Sequence, residues 1–142
     1  FVLKDLSLKQ EEFYEYWLKI EGNRAMPMRA DFNPMDIHTV APFLSLEDVI
    51  YDPLRFQVRL VGGSTSSARD SKGQYLDEIP GTDAIIEMLS QMVERKKPYH
   101  YISMITWDER KHKTYSSLVV PFSEDGERVS ICMACHHTLE IL

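Results

Sequence analysis

The spacing of hydrophobic positions changes several times along this chain, and each change predicts an element. Over residues 8–21, Phe13, Tyr16, Trp17 and Ile20 recur at i, i+3, i+4 and i+7, which places them on one face of a helix. The opposite face carries Glu11, Glu12, Glu15 and Lys19. Ser7 and Gln10 stand three apart at its start, the spacing of a capping box in which each side chain satisfies an orphan amide. Gly22 suits its stop. A second helix is predicted over residues 83–96, capped by Thr82, with Ile85, Ile86, Leu89, Met92 and Val93 on one face. Pro98 forbids its continuation.

Strand signals fill the rest. Phe56, Val58 and Leu60 alternate with Arg55, Gln57 and Arg59, the period of two that marks a half-buried antiparallel strand. It stops at Gly62-Gly63, where the backbone is free to leave the sheet. Residues 44–51 read as a partner strand whose alternation is flawed, as a bulge makes it, with Asp52-Pro53 at the turn. Asn33 and Pro34 open a short helix that ends before Pro42. Short helical turns are expected over residues 64–69 and 75–79. Three strands then follow over residues 99–107, 112–121 and 128–139, with hairpin-length connectors at 108–111 and 123–126.

This order predicts an α+β fold: a five-stranded antiparallel sheet with helices packed on one face, plus an additional N-terminal helix. The expected division is an N-terminal amphipathic helix and linker over residues 1–28 and a sheet domain over 29–142. Strand 99–107 is apolar on both sides, with Ile102 and Met104 against Tyr101, Ile105 and Trp107. That predicts cover on the outer face from the N-terminal helix, its own or a second copy's.

At 142 residues the chain has room for one core, and its net charge of −6 argues against a nucleic-acid partner. Arg95-Lys96-Lys97 falls at a predicted helix end, where cations complement the dipole. No apolar run approaches the roughly 20 residues that cross a bilayer, and no leader pattern is visible. A cytoplasmic protein without membrane contact is expected.

Cys132-Met133-Ala134-Cys135-His136 matches the C-x-x-C-H pattern of haem attachment. On a strand, however, an offset of three puts the two thiols on opposite faces, about 10 Å apart along the chain. They are read as packing cysteines, with no metal site and no cofactor expected. His38, His100 and His112 are isolated in sequence and expected on loops or strand surfaces. In Asp77-Glu78 and Glu47-Asp48 the neighbours point apart, and no nucleophile, base and orienter can be assembled. No catalytic residue is assigned.

The space between the second helix and the sheet is the expected ligand pocket, with Phe56, Val58, Met88, Met92, Met104 and Tyr115 as candidate walls. Phe13, Tyr16, Trp17 and Ile20 are the candidates for helix packing or a dimer contact. An enzyme or carrier built on such a cavity is the alternative, and it needs a polar pair of perturbed pKa inside the pocket.

One ordered set of motifs carries a family resemblance. It comprises Arg29-x-Asp31-Phe32-Asn33-Pro34-x-Asp36-Ile37, Pro42, Arg55-Phe56-x-x-Arg59-Leu60-Val61-Gly62, Gly73-x-x-Leu76-Asp77-Glu78, Pro98 and Pro121-Phe122-Ser123-x-Asp125-Gly126. Over residues 29–138 the chain resembles the bacterial stand-alone PAS-like domains. The resemblance implies a sensory or regulatory module without catalysis, taking a small-molecule ligand and a homodimer or signalling-protein partner.

Overall fold

The computed structural model describes residues 3–62, 71–104 and 114–139. The expected turn at 64–69, the connector 108–111, Ile105, Trp107 and His112 lie outside the described residues. Helix α1 spans Leu8–Glu21. Its capping box is formed: Gln10 N donates to Ser7 Oγ at 3.2 Å and Ser7 N donates to Gln10 Oε1 at 3.0 Å. Gly22, at φ +60°, stops it. Helix α2 spans Asp83–Arg95 and closes on Lys96, whose N–H donates to the Met92 carbonyl from a left-handed backbone. Thr82 does not cap α2 in the expected way. Its backbone lies outside the extended region, and its hydroxyl donates backwards to the carbonyls of Leu76 (2.6 Å) and Ile79 (2.8 Å).

Strands β1 (Leu44–Ile50), β2 (Arg55–Val61), β3 (Tyr99–Met104), β4 (Thr114–Phe122) and β5 (Ile131–Leu139) form one antiparallel sheet in the order β2-β1-β5-β4-β3. This is the α+β arrangement expected, five antiparallel strands with an additional N-terminal helix. The chemistry of its two faces follows from alternation along β4 and β5. Leu118, Val120, Met133 and Cys135 join Phe13 and Trp17 of α1 in an outer core. Val119, Cys132 and Ala134 join Phe56, Val58, Leu89 and Met92 in an inner core under α2. No described helix is long and apolar enough to cross a membrane.

The short helix expected before Pro42 is instead a set of 3-10 turns at Arg29–Asp31, Pro34–Ile37 and Ala41–Phe43. Each proline lacks a donor and so fits the first turn of a new segment rather than a helix interior. Asn33 caps the second turn by accepting from Met35 N at 3.1 Å. Ile37 and Val40 reach back into the outer core beside α1.

The bulge lies in β2. Leu46 pairs with Leu60 but Glu47 pairs with Val58, leaving Arg59 as the extra residue. Beyond it the faces exchange: Leu60 sits opposite Leu46 and is 46% exposed, not inward with Phe56 and Val58, and Val61 packs on the inner core in its place. Leu60→Thr is therefore expected to change unfolding free energy by no more than about 0.5 kcal/mol, whereas Val58→Ala costs about 2 kcal/mol in urea titration. At the strand exit, a Cβ on Gly62 would stand 2.4 Å from the Pro42 carbonyl oxygen, so only glycine lets these backbones meet.

Strand β3 is not buried on both sides. Tyr101 is buried, but Ile102 is 60% exposed. As an edge strand β3 lies beside the footprint of α1, which packs over β4 and β5. The side chain of Met104 lies outside the described residues.

Candidate functional site

Polar side chains collect on the inner face of the sheet, and the strand register places them. His136 pairs with Ser117, which pairs with Tyr101, a row crossing β5, β4 and β3. Ser45 and Glu47 of β1 pair with Ala134 and Cys132 on the same face. The His136 ring sits between two hydroxyls, Nε2 at 2.7 Å from Ser45 Oγ and Nδ1 at 2.7 Å from Ser117 Oγ. A neutral imidazole has one donor and one acceptor, so one serine donates to the ring and the other accepts from it. Ser117 also meets the Tyr101 hydroxyl, and that hydroxyl meets Tyr115. The Tyr101 and Tyr115 rings stand edge to face at 6.4 Å, and the Tyr115 and His136 rings repeat that arrangement at 6.4 Å. Tyr115, Tyr101, Ser117, His136 and Ser45 thus form one continuous chain.

Burial holds this chain uncharged. It pushes His136 down to about 4, because an imidazolium there has lost its water. Glu47 is pushed up to about 8, first by burial and then by the charge of Asp48. Its Oε2 is sealed from solvent with no hydrogen-bond partner. The Tyr101 phenol is raised by burial and then by Tyr115, and the Cys132 thiol by burial and then by Glu47. Near pH 7 the inner face therefore presents a neutral surface that both donates and accepts hydrogen bonds.

Of the candidate pocket walls, Phe56, Val58, Met92 and Tyr115 are buried in the inner core, and Met88 packs against it. Phe13, Tyr16 and Trp17 are buried in the outer core with Ile20 beside them. Cys132 lies in the inner core and Cys135 in the outer, so one bound group cannot clasp both from a single side. His38 is exposed and His100 half-buried on β3. Asp48 turns outward to Arg59 at 3.3 Å, and Asp77 takes both forks of Arg55 at 2.7 and 2.8 Å, surface pairs without a role in the site.

Sequence reasoning missed His136, Ser45, Ser117 and the burial of Glu47. The signal for His136 was present: the alternation that separates the cysteines also puts His136 on the face of Cys132 and Ala134.

Directly behind this row, α1 grips the same two strands. Gln10 is fully buried, and its Nε2 donates to the Ser116 carbonyl (3.2 Å), Ser116 Oγ (3.1 Å) and the Cys135 carbonyl (3.1 Å). Two turns on, Trp17 Nε1 donates to the Pro121 carbonyl at 3.0 Å. Tyr16 donates to Asp36 at 3.1 Å and accepts from Asn33 N at 2.9 Å, which fastens the 3-10 segment to the helix.

No family model matches this chain, and no curated protein is similar enough to match. Among solved structures, a sensory box sensor histidine kinase from Vibrio cholerae is similar at 16% identity and a TM-score of 0.43, over 76% of this chain and 92% of that one. A likeness that distant carries no weight for function.

Proposed function

We propose that this chain is a non-catalytic PAS-like sensory or regulatory module. A small ligand or a protein partner engages the inner face and changes how α1 sits on the outer face. One observation carries the reading: Ser117 and His136, which hydrogen-bond on the inner face, are the immediate chain neighbours of Ser116 and Cys135, which Gln10 holds on the outer face. Successive strand residues point to opposite faces, so a displacement of β4 against β5 at this pair is felt on both. A ligand shifts the position of α1 only as far as its affinities for the two arrangements differ. The exposed carboxylates Glu11, Glu12 and Glu15 of α1 are the surface that a second copy or a signalling protein would read.

What favours an enzyme instead is that Glu47 and His136, the latter held by Ser45, are two groups of perturbed pKa on the inner face. An imidazole held at about 4 is a weak general base at neutral pH, and its second nitrogen meets Ser117 rather than an orienting carboxylate. The binding reading is therefore preferred.

Amide hydrogen exchange tests it. His136→Phe places bulk on the inner face and is expected to speed exchange of the α1 amides about ten-fold, or about 1.4 kcal/mol of local stability. Unchanged α1 exchange in a variant that still protects β1 would defeat the proposal.

A further inference from the structure

A concavity of about 310 Å³ opens where the end of α2 meets the start of β3, lined by Met92, Arg95, Lys97, Pro98, Tyr99 and His100. Its floor is formed by Pro98 and Tyr99, both half-buried, with Met92 sealed beneath them in the inner core. Its rim is cationic in a chain of net charge −6. Both Arg95 and Lys97 are exposed, and neither forms a salt bridge among the described residues. His100 is kept toward its neutral form by burial, with Asp5 within electrostatic reach on that side.

We propose that this concavity binds a small amphipathic anion, a carboxylate whose apolar body lies on Pro98 and Tyr99 and whose charge meets Arg95 and Lys97. The volume is that of a small ligand pocket. The closing turn of α2 repels an anion with the equivalent of about half a charge, while two full cations attract it, so attraction wins. A cationic ligand meets the reverse balance. The Tyr99 and Tyr101 rings lie 6.3 Å apart, which connects the floor of the concavity to the Tyr101–Ser117–His136 row. A ligand seated here touches α2 and β3 together. The site does not depend on the coupling to α1, and it stands or falls by itself.

The ordinary explanation for Arg95 and Lys97 is that they only complement the α2 dipole, and a titration separates the two. Sodium benzoate added to the isotope-labelled full chain is expected to shift the Tyr99 and His100 amides in a saturable way. The double variant Arg95→Gln, Lys97→Gln should weaken that binding ten-fold or more while leaving the remaining amide spectrum in place. Benzylamine, the cation of matching shape, should bind at least ten-fold more weakly than benzoate. Absence of saturable shifts, equal binding by the double variant, or inorganic phosphate binding as tightly as benzoate would each overturn the proposal.

Discussion

Glu47→Gln is expected to stabilise the protein at pH 8 by about 4 kcal/mol and at pH 5 by only about 1 kcal/mol. The sign follows from the direction of the shift. A carboxyl whose folded pKa rises from 4.5 to about 8 stays protonated in the folded chain while the unfolded chain ionises. Folding then holds more protons than unfolding over this interval, so stability is greatest below about pH 4.5 and falls as pH climbs towards 8. Each unit crossed costs about 1.4 kcal/mol. Glutamine keeps the shape and cannot ionise, so that slope disappears. His136 slopes the other way. Its folded value is depressed to about 4, so the neutral ring is fully accommodated above about pH 6.5, and stability is lost as pH falls towards 4. The wild-type chain should accordingly be most stable near pH 5–6, and Glu47→Gln should move the optimum upward. Urea titrations at half-unit pH steps check both limbs, and a variant that tracks the wild type from pH 5 to 8 would mean that Glu47 is solvated.

Gln10→Ala has the second large effect, a loss of about 3 kcal/mol with a fall in Tm of roughly 10 °C. The side chain holds three acceptors across two strands and also closes the α1 capping box. The two amide hydrogens, shared among the three acceptors, sustain about two full hydrogen bonds at about 1 kcal/mol net each, and a lost cap costs about as much as one of them. Gln10→Met, which refills the space, should recover only the packing part. The exposed neighbour Glu11→Ala should change Tm by no more than about 2 °C. Differential scanning fluorimetry of the three variants measures the ranking, and a Gln10→Ala loss below about 1 kcal/mol would show that α1 is held by its apolar face alone.

Much of the fold was legible because its signals are local. Ser7, Gln10 and Gly22 bracket α1, and the period of its aromatic residues identifies the face that it buries. Long-range features were not legible. Gln10 already had a local explanation as a capping residue, so nothing in the sequence marked its reach across 106 and 125 residues to Ser116 and Cys135. The alternation of Phe56, Val58 and Leu60 continues unbroken through the bulge at Arg59, since one extra residue leaves no trace in composition. Glu47 reads as a surface acid, and its burial is tolerated because it keeps its proton. His136 was hidden inside a motif whose better-known meaning drew attention to the cysteines.

Communication between the two faces of the β4–β5 pair is tested most directly at the side-chain amide of Gln10 and the indole N–H of Trp17. In nitrogen-resolved NMR spectra, His136→Leu and Ser117→Ala should both move these two signals, although neither residue touches α1, while Leu60→Thr should leave them in place. If both signals hold their positions in the inner-face variants, α1 is insensitive to that face, and the proposed relay does not exist.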